Sequence, residues 1–401
     1  MRFSLVLQRM CLLGALFCCP VSLRAVNITI DYQYDTNNFF GAGNPSGAIA
    51  GAQAKAALEA AASFYSGILT DTFSAIQTPA PYLGDLDTQT WEWSAVFNNP
   101  QTGGNVTLVD ETIAADEYRI YVGARSLSGN TLGIGGPGGW GLSSSNNGIG
   151  FYPNELNDIQ QINDAFLDAV ENRGETSGFA RWGASLAFDS DSSTNWHYNH
   201  LSSPSAGESD FFSVAIHEIG HSLGLGTSDE WNLLVSGSYF VGGAAIVEYG
   251  SAVPLYCDIN GCGHWADGTS SVVQGTVTPQ ETAMDPILTQ GSRKRLTDLD
   301  AAALTDIGWS VVNPTYYDPA DFDLDGDVDG VDLATLENWF GVNSGGDADG
   351  DIDTDGFDYL VWQRYFTGPL PLAGFAAIPE PGTLALCACG LACWLRRWRP
   401  A

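Results

Sequence analysis

The sequence predicts an α+β domain that is followed by a small all-α module. Three observations support this prediction. Segments with strand patterns dominate the first half of the chain, Ala-rich or amphipathic helix patterns lie between them, and two Asp-rich segments near the C-terminus each precede a short apolar helix pattern. Strands with helices segregated around them are typical of α+β domains. The 401 residues suffice for one large domain and one or two small modules.

The elements of the large domain, residues 26–312, follow from hydrophobic periodicity. Strands are predicted at 27–42, 91–97, 105–113, 117–127 and 181–189. Helices are predicted at 46–69, 154–174 and 296–309, and a further helix carries the stretch SVAIHEIGHSLGLG that begins at Ser213. The glycine-dense segment 129–150 is predicted to be a loop, and a Pro-rich polar linker is predicted at 313–320.

The acidic composition limits the partners of this chain. Its 47 Asp and Glu residues outnumber its 15 Lys and Arg residues, which gives a formal net charge of -32 at pH 7. Such a charge repels nucleic acids and anionic membranes, so no nucleic-acid partner is expected. It favours the binding of cations instead.

Residues 1–25 have the pattern of a secretory signal peptide. Basic Arg2 and Arg9 are followed by the apolar run MCLLGALFCCPV, and cleavage is predicted after Ala25. The alternative is an N-terminal membrane anchor, but the apolar run is short for a span of about 20 residues. We therefore expect an exported protein.

Residues 379–401 combine the triplet PEP, an apolar segment from Thr383 to Leu395 and a cluster of three arginines. The apolar segment is short for a permanent span, which predicts a transient transmembrane segment with its positive end in the cytoplasm. This tripartite pattern resembles the PEP-CTERM sorting signal of Gram-negative bacteria. The resemblance implies removal by an exosortase-type processing enzyme and delivery to the extracellular space or the cell surface.

Only two cysteines lie outside the two end segments. They are Cys257 and Cys262, which flank the residues DING. In an exported protein this spacing predicts a small disulfide loop. Two free thiols or two soft metal ligands are the alternatives.

The stretch from 217 to 224 indicates a catalytic metal centre. His217, Glu218 and His221 form the motif H-E-x-x-H, and Gly224 follows where the helix can end. Residues i and i+4 share a helix face, so both imidazoles can bind one zinc ion. Glu218 lies where a general base can act on water that the metal activates. The alternative is a chance occurrence of this short motif.

The third metal ligand is not fixed by the local motif. Catalytic zinc sites use three protein ligands and keep one open position, but Thr227 lies where a short-range third histidine would follow. The candidates elsewhere are His197, His200, Asp229, Glu230 and His264. We favour His264, because it follows Cys262 by two residues and the predicted disulfide loop can fix its backbone.

The order HEIGHSLGLG, GHW, AMDP and LTDLDAAALTDIGW, within about 181–309, resembles the metzincin clan of zinc endopeptidases. The late GHW is similar to the leishmanolysin-like members, whose third histidine lies tens of residues downstream, and GASLAFDSDSSTNW also resembles the matrix metalloproteinase branch. The resemblance implies a twisted mixed sheet with an active-site helix, and one catalytic Zn²⁺ bound by His217, His221 and His264. It also implies a methionine turn at Met284. A protein or peptide substrate is expected to rest on an edge strand near 181–189.

Two Asp-rich segments, 321–332 and 347–358, lie 26 residues apart, and both carry Asp at positions 1, 3, 5, 7, 9 and 12. Carboxylates in a tight loop, with one from a following helix, form an oxygen site for calcium. The predicted ligands are Asp321, Asp323, Asp325, Asp327, Asp332, Asp347, Asp349, Asp351, Asp353 and Asp358. Six carboxylates in such a loop repel one another without a cation. A disordered acidic linker is the alternative.

The doubled loop with its helices, residues 321–368, resembles a type I dockerin domain. The resemblance implies two structural Ca²⁺ ions and a cohesin-like or cell-surface partner. Dockerins usually have small hydroxyl residues at loop positions 10 and 11, where this chain has Gly330-Val331 and Gly356-Phe357. The alternative is a spacer that calcium stiffens.

Together these features predict a secreted zinc-dependent endopeptidase with a C-terminal calcium-binding module. The alternative is a catalytically inactive, metal-stabilised surface or matrix protein that acts through its dockerin-like module. Glu218 favours the enzyme, because a purely structural zinc site has no need of a general base.

Overall fold

The computed structural model describes residues 26–148, 150–259, 261–276, 278–312, 320–322, 328–342, 345–348 and 353–366. The chain divides into two compact units, with the boundary at residues 317 and 318. The predicted signal peptide, 1–25, residues 313–319 of the predicted linker, and the predicted sorting signal, 379–401, lie outside the described residues. In the part of the chain that the structure describes, no helix is long and apolar enough to cross a membrane.

Helices contribute to both units. In chain order the described helices are α1 (Ala48–Ile68), α2 (Pro153–Glu171), α3 (Phe211–Ser222), α4 (Asp229–Leu233), α5 (Gly243–Tyr249), α6 (Asp298–Asp306), α7 (Gly330–Trp339) and α8 (Gly356–Tyr365).

Strands occur only in the first unit among the described residues. They are β1 (Asn27–Asp31), β2 (Tyr82–Leu83), β3 (Thr88–Asn98), β4 (Asn105–Val109), β5 (Glu117–Arg125), β6 (Gly133–Pro137), β7 (Gly139–Asn146), β8 (Gly183–Asp189), β9 (Trp196–His197), β10 (Ser209–Asp210), β11 (Val235–Ser236), β12 (Tyr239–Phe240), β13 (Val253–Asp258), β14 (Gly261–Trp265), β15 (Ser270–Val272) and β16 (Pro279–Glu281). This mixture of strands and helices is compatible with the predicted α+β class.

A four-stranded mixed sheet positions the rest of the first unit. Its order is β1-β5-β8-β6, in which β1, β5 and β8 are parallel and β6 runs antiparallel to β8. The prediction of an edge strand at 181–189 is therefore wrong, because β8 lies between two partners and β6 forms the edge. Burial agrees with this position: six of the seven residues of β8 are buried, so both faces of the strand are covered.

A second, antiparallel sheet has β3 at its centre. β7 pairs along one side of β3, and β2 and β4 pair along the other. The predicted loop at 129–150 is wrong, since most of it forms β6 and β7. The glycines of this segment permit close packing: a Cβ at Gly138 would lie 2.1 Å from the ring of Trp182.

Helices α1 and α3 pack against the mixed sheet and complete the main core. Tyr65 on α1 is fully buried and donates a hydrogen bond to the Ile216 carbonyl on α3 at 2.9 Å. Tyr118 on β5 donates to the carbonyl of Ser222 at the end of the same helix. The motif helix is thus fixed from two directions by buried hydroxyl groups.

The second unit is built on α7 and α8, whose first residues lie 26 positions apart, as in the sequence repeat. Asp329 and Asp355 cap the two helices, and each forms a capping box with the Asp three residues later. A small core that includes Leu336 and Trp362 joins the helices, and Trp362 Nε1 donates to the Asp329 carbonyl at 2.9 Å.

Candidate metal centre

Helix α3 carries the H-E-x-x-H motif. Asp210 caps the N-terminus of the helix by accepting a hydrogen bond from the Ser213 amide at 3.0 Å, and Arg293 holds the same carboxylate at 2.7 Å. Residues four apart share a helix face, and the rings of His217 and His221 accordingly lie with their centroids 4.6 Å apart.

The end of α3 orients the His221 ring. Gly224 has a φ of 102°, in the left-handed region that favours glycine, and this turn brings the next carbonyl back toward the helix. His221 Nδ1 donates to that carbonyl, of Leu225, at 2.8 Å. The Nε2 atom of His221 therefore presents its lone pair.

A turn at Ala283 and Met284 orients the His217 ring. His217 Nδ1 donates to the Ala283 carbonyl at 2.7 Å, so its Nε2 atom also presents a lone pair. Met284 is fully buried beside the motif helix, where a Cβ at Gly220 would lie 2.7 Å from its sulfur. Gly220 therefore lets the turn lie directly against α3.

The third imidazole belongs to a β-hairpin. β13 and β14 pair antiparallel, and a disulfide between Cys257 and Cys262 closes their connection. His264 lies on β14, two residues after the disulfide. Trp231 Nε1 on α4 donates to the Cys262 carbonyl at 2.9 Å, which fastens this hairpin to the rest of the unit.

Gly226 and Thr227, which follow the motif, leave room for the hairpin to approach the site. Gly226 has a φ of 72°, and a Cβ there would lie 2.0 Å from the Gly263 carbonyl oxygen. Thr227, at the position of a short-range third ligand, donates from Oγ1 to the His221 carbonyl at 2.6 Å. This segment therefore secures the end of α3 and leaves the place beside His221 open to β14.

The three imidazoles converge on one point. The Nε2 atom of His264 lies 3.2 Å from Nε2 of His217 and 3.0 Å from Nε2 of His221. Tetrahedral zinc with Zn–N bonds of about 2.0–2.1 Å separates its nitrogens by roughly 3.3–3.4 Å. Two of the three nitrogens point lone pairs into the shared space, which suits a cation. The donor set and its spacing therefore fit zinc.

Burial keeps the three rings neutral. It lowers the pKa of His217 to about 4, with the neighbouring His264 ring adding to the effect. Burial also lowers the pKa of His221 well below its usual value. It lowers the pKa of His264 as well. Zinc binds the neutral form of imidazole, so these three rings could bind a metal ion at neutral pH.

Glu218 lies on α3 beside the edge strand β6. Its side chain is buried, and burial raises its pKa to about 8, while a hydrogen bond from the Gly135 amide opposes this shift. A divalent cation in the neighbouring imidazole cluster would favour the ionised carboxylate and lower this pKa. The residue is thus placed to exchange a proton near neutral pH.

Comparison with known proteins agrees with this geometry. The family model described as matrixin, a peptidase family, matches residues 149–244, which are 96 of the 401 residues. This match supports a metzincin-type zinc metalloprotease and implies a catalytic zinc ion and protein or peptide substrates. It includes His217, Glu218 and His221 and ends before His264. No curated protein and no solved structure matches the chain.

Asp300 on α6 supports the centre and was not predicted from the sequence. Its buried carboxylate accepts hydrogen bonds from the Ala283 amide at 2.8 Å and from Trp265 Nε1 at 2.8 Å. Ala283 holds the His217 ring and Trp265 follows His264, so this carboxylate braces the backbone beside two of the three imidazoles. The pattern T-x-x-D at 297–300 predicts a helix cap, but nothing local predicts these distant bonds.

The other candidate third ligands lie elsewhere. His197 contacts Glu208 through Nδ1 at 3.2 Å and Ser202 through Nε2. His200 stacks against Phe212. Asp229 and Glu230 form the first turn of α4. Among the described residues, none of these four joins His217, His221 and His264 in a cluster of ligand atoms.

The position-12 residues of the acidic repeat have equivalent surroundings. Asp332 accepts hydrogen bonds from the amides of Phe322 and Asp329 at 2.6 and 2.8 Å. Asp358 accepts from Ala348 and Asp355, each at 2.6 Å. The two halves of the repeat therefore share one local structure at this position.

In the second repeat, one carboxylate oxygen from each of Asp353, Asp355 and Asp358 lies within 4.8 Å of the other two. The position-1 residues Asp321 and Asp347 are also described. The remaining predicted calcium ligands, which are Asp323, Asp325, Asp327, Asp349 and Asp351, lie outside the described residues.

Proposed function

We propose that this protein is a secreted zinc endopeptidase in which His217, His221 and His264 hold the metal and Glu218 is the general base. The observation that carries the proposal is the convergence of three neutral imidazoles next to a buried carboxylate. Zinc held there would supply a Lewis acid for the scissile carbonyl and lower the pKa of water.

Glu218 performs the proton transfers in this proposal. Its carboxylate accepts a proton from the attacking water and passes that proton to the leaving amine. The buried surroundings suit both steps, because a pKa shifted toward neutrality makes the carboxyl group an effective acid as well as a base. His217 and His221 are held by backbone carbonyls, so the ligand geometry does not depend on mobile side chains.

The edge strand β6 is the proposed resting place for an extended substrate. Leu132 and Gly138, which flank the strand, direct a carbonyl and an amide to β8. Alternate residues of an antiparallel strand face opposite edges, so Gly133, Gly135 and Pro137 direct their backbone groups away from β8. Of these groups, the Gly135 amide already donates to Glu218. A peptide in extended form can add to such an edge.

We further propose that the second unit binds two structural calcium ions through the acidic repeat. Support comes from the doubled loop spacing and from the equivalent positions of Asp332 and Asp358. Export and delivery to the cell surface or the extracellular space, followed by processing at the C-terminus, also belong to this proposal, because residues 1–25 and 379–401 carry the sequence patterns of export signals.

The deciding experiment is hydrolysis of casein by purified 26–378, beside Glu218→Ala, with bound zinc measured in both. We expect the variant to keep its zinc and to lose at least about 10²-fold in kcat, because general base catalysis contributes about that much or more. A variant as active as the parent would contradict the role of Glu218. A parent with zinc bound in a closed four-ligand site would favour the inactive surface protein.

A further inference from the structure

The glycine at position 133 faces the proposed general base. A Cβ built on Gly133 would lie 2.6 Å from both Cγ and Oε1 of Glu218, and 2.8 Å from its Cδ. These three atoms, all from the Glu218 side chain, are the nearest ones to that position. Real Cβ atoms do not approach other heavy atoms this closely, so a side chain at position 133 would displace the carboxyl group.

The backbone does not require glycine at this position. The φ of Gly133 lies outside the left-handed region, and the residue is inside a strand, where glycine weakens pairing and packs nothing. The glycine is therefore explained by the close approach of β6 to Glu218. Two positions further along β6, the Gly135 amide donates a hydrogen bond to the same carboxylate.

We propose that Gly133 is a positioning residue for Glu218: its lack of a side chain lets the carboxyl group lie against β6, where the Gly135 amide holds it. The proposal rests on the proposed function of Glu218 as general base. It gives the glycine-rich edge strand a role in proton transfer that is separate from any contact with substrate.

Gly133→Ala tests this inference, and Gly139→Ala is the matched control. Gly139 lies on β7, outside the proposed substrate edge; a Cβ there meets only the Val96 carbonyl oxygen, at an ordinary contact distance of 3.8 Å, and its φ also lies outside the left-handed region. The displaced atoms in Gly133→Ala belong to one side chain and not to the backbone, so the fold should persist. We expect kcat on casein-derived peptides to fall by roughly 10²-fold, as for a misplacement of about 1 Å. KM and bound zinc should be unchanged.

A double-mutant cycle with Glu218→Ala supplies a readout that does not depend on activity. In zinc-free protein, Gly133→Ala should lower the Tm by a few degrees when Glu218 is present. In the Glu218→Ala background the obstructing atoms are gone, so the same substitution should leave the Tm unchanged. A merely structural glycine would cause the same loss in both backgrounds.

The outcomes separate the inference from the function on which it rests. If Gly133→Ala keeps the kcat of Gly139→Ala while Glu218→Ala is inactive, the positioning role is wrong and the general base stands. If Glu218→Ala stays active, the proposed function fails first. Equal Tm losses of Gly133→Ala in both backgrounds would overturn the inference, even with kcat reduced.

Discussion

Single side chains decide which nitrogen atoms are available for a metal ion. His217 and His221 each donate an Nδ1 proton to a backbone carbonyl, and this fixes the orientation of both rings. Thr227 cannot replace a third imidazole, because its hydroxyl group donates to the His221 carbonyl instead. At this scale the proposed site depends on His264 for its third ligand.

Replacement of His264 by alanine should therefore abolish stoichiometric zinc binding. Two imidazoles remain, and we expect at least about a 10²-fold loss of zinc affinity, the upper range seen when even outer supports of a metal ligand are removed. Metal content after dialysis against a weak chelator measures this loss. His197→Ala is the control, since that ring contacts Glu208 and Ser202. Full zinc stoichiometry in His264→Ala would exclude His264 as a ligand.

The lowered pKa of His217 gives zinc binding a defined dependence on pH. A histidine in an unfolded chain has a pKa of about 6.5, whereas burial lowers that of His217 to about 4. The folded ring therefore takes up a proton only as the pH falls toward 4. Between pH 6.5 and 4 the unfolded chain binds more protons at this residue than the folded chain does. The free energy of unfolding therefore falls as the pH falls through that window.

Because the pKa values of all three rings are lowered, we expect zinc affinity to begin to fall at a lower pH than exposed histidines would give. The measurement is a competition titration with a chelator of known protonation, carried out on Glu218→Gln so that the carboxyl group does not titrate. An affinity that already falls about tenfold per pH unit from pH 6.5 would mean that the rings titrate as exposed histidines do.

At the scale of elements, the β13–β14 hairpin completes a centre that α3 begins. Its position depends on the contact of Gly226 with the Gly263 carbonyl, on the Cys257–Cys262 disulfide and on the bond from Trp231. The hairpin therefore acts as a rigid support for His264. Displacing it should weaken the metal site without changing any ligand.

Gly226→Ala should displace the hairpin, because its Cβ would lie 2.0 Å from backbone that cannot move independently. Gly237→Ala is the matched control: its φ of 62° imposes the same kind of backbone strain, but a Cβ there meets nothing within 4 Å. We expect Gly226→Ala to lose roughly 10–100-fold in zinc affinity, as when other supports of metal ligands are removed. Equal affinities in the two variants would show that the close approach does not matter.

The sequence predicted the long helices within a few residues, since their periodicity is a local property. Helices α1 and α2 occupy 48–68 and 153–171, against predictions of 46–69 and 154–174. It did not predict β6 and β7, because the glycines in and between these strands look like loop residues until Trp182 and Glu218 are packed against them. β8 is an inner strand because β6 pairs with it, and no local sequence pattern predicts that pairing.

The candidate site also has residues that a local sequence pattern predicts and residues that no local pattern predicts. H-E-x-x-H is a local pattern with a fixed geometry, so His217, Glu218 and His221 could be selected from spacing alone. His264 was favoured for its place two residues after Cys262 and for the family resemblance, because the Gly226–Gly263 approach that admits it joins residues distant in sequence and is not visible in any local pattern. Asp300 was missed, because its capping pattern is local while its bonds to Trp265 and Ala283 are not.

At the scale of the whole molecule, the chain carries far more negative than positive charge. Its formal net charge is -32, and two 12-residue segments of the second unit hold twelve of its aspartates. Such loops are unfavourable without cations, since each added carboxylate raises the cost of ionising its neighbours. Calcium should therefore act on this unit and leave the zinc centre of the first unit unchanged.

Calcium titration of residues 26–378 should show two bound ions, and calcium should order the isolated segment 318–368. Asp347→Asn removes a predicted ligand from one loop and should leave one ion, whereas Glu337→Gln makes the same change of charge on α7 and should leave two. Isothermal titration calorimetry gives the stoichiometry, and circular dichroism of the segment gives the ordering. Because zinc prefers nitrogen and sulfur ligands and calcium prefers oxygen, bound zinc should be equal in the parent, in Asp347→Asn and in Glu337→Gln.

An unchanged circular dichroism spectrum of the segment on calcium addition would instead favour a disordered acidic linker. The repeat would then serve as a spacer in which only the charge matters.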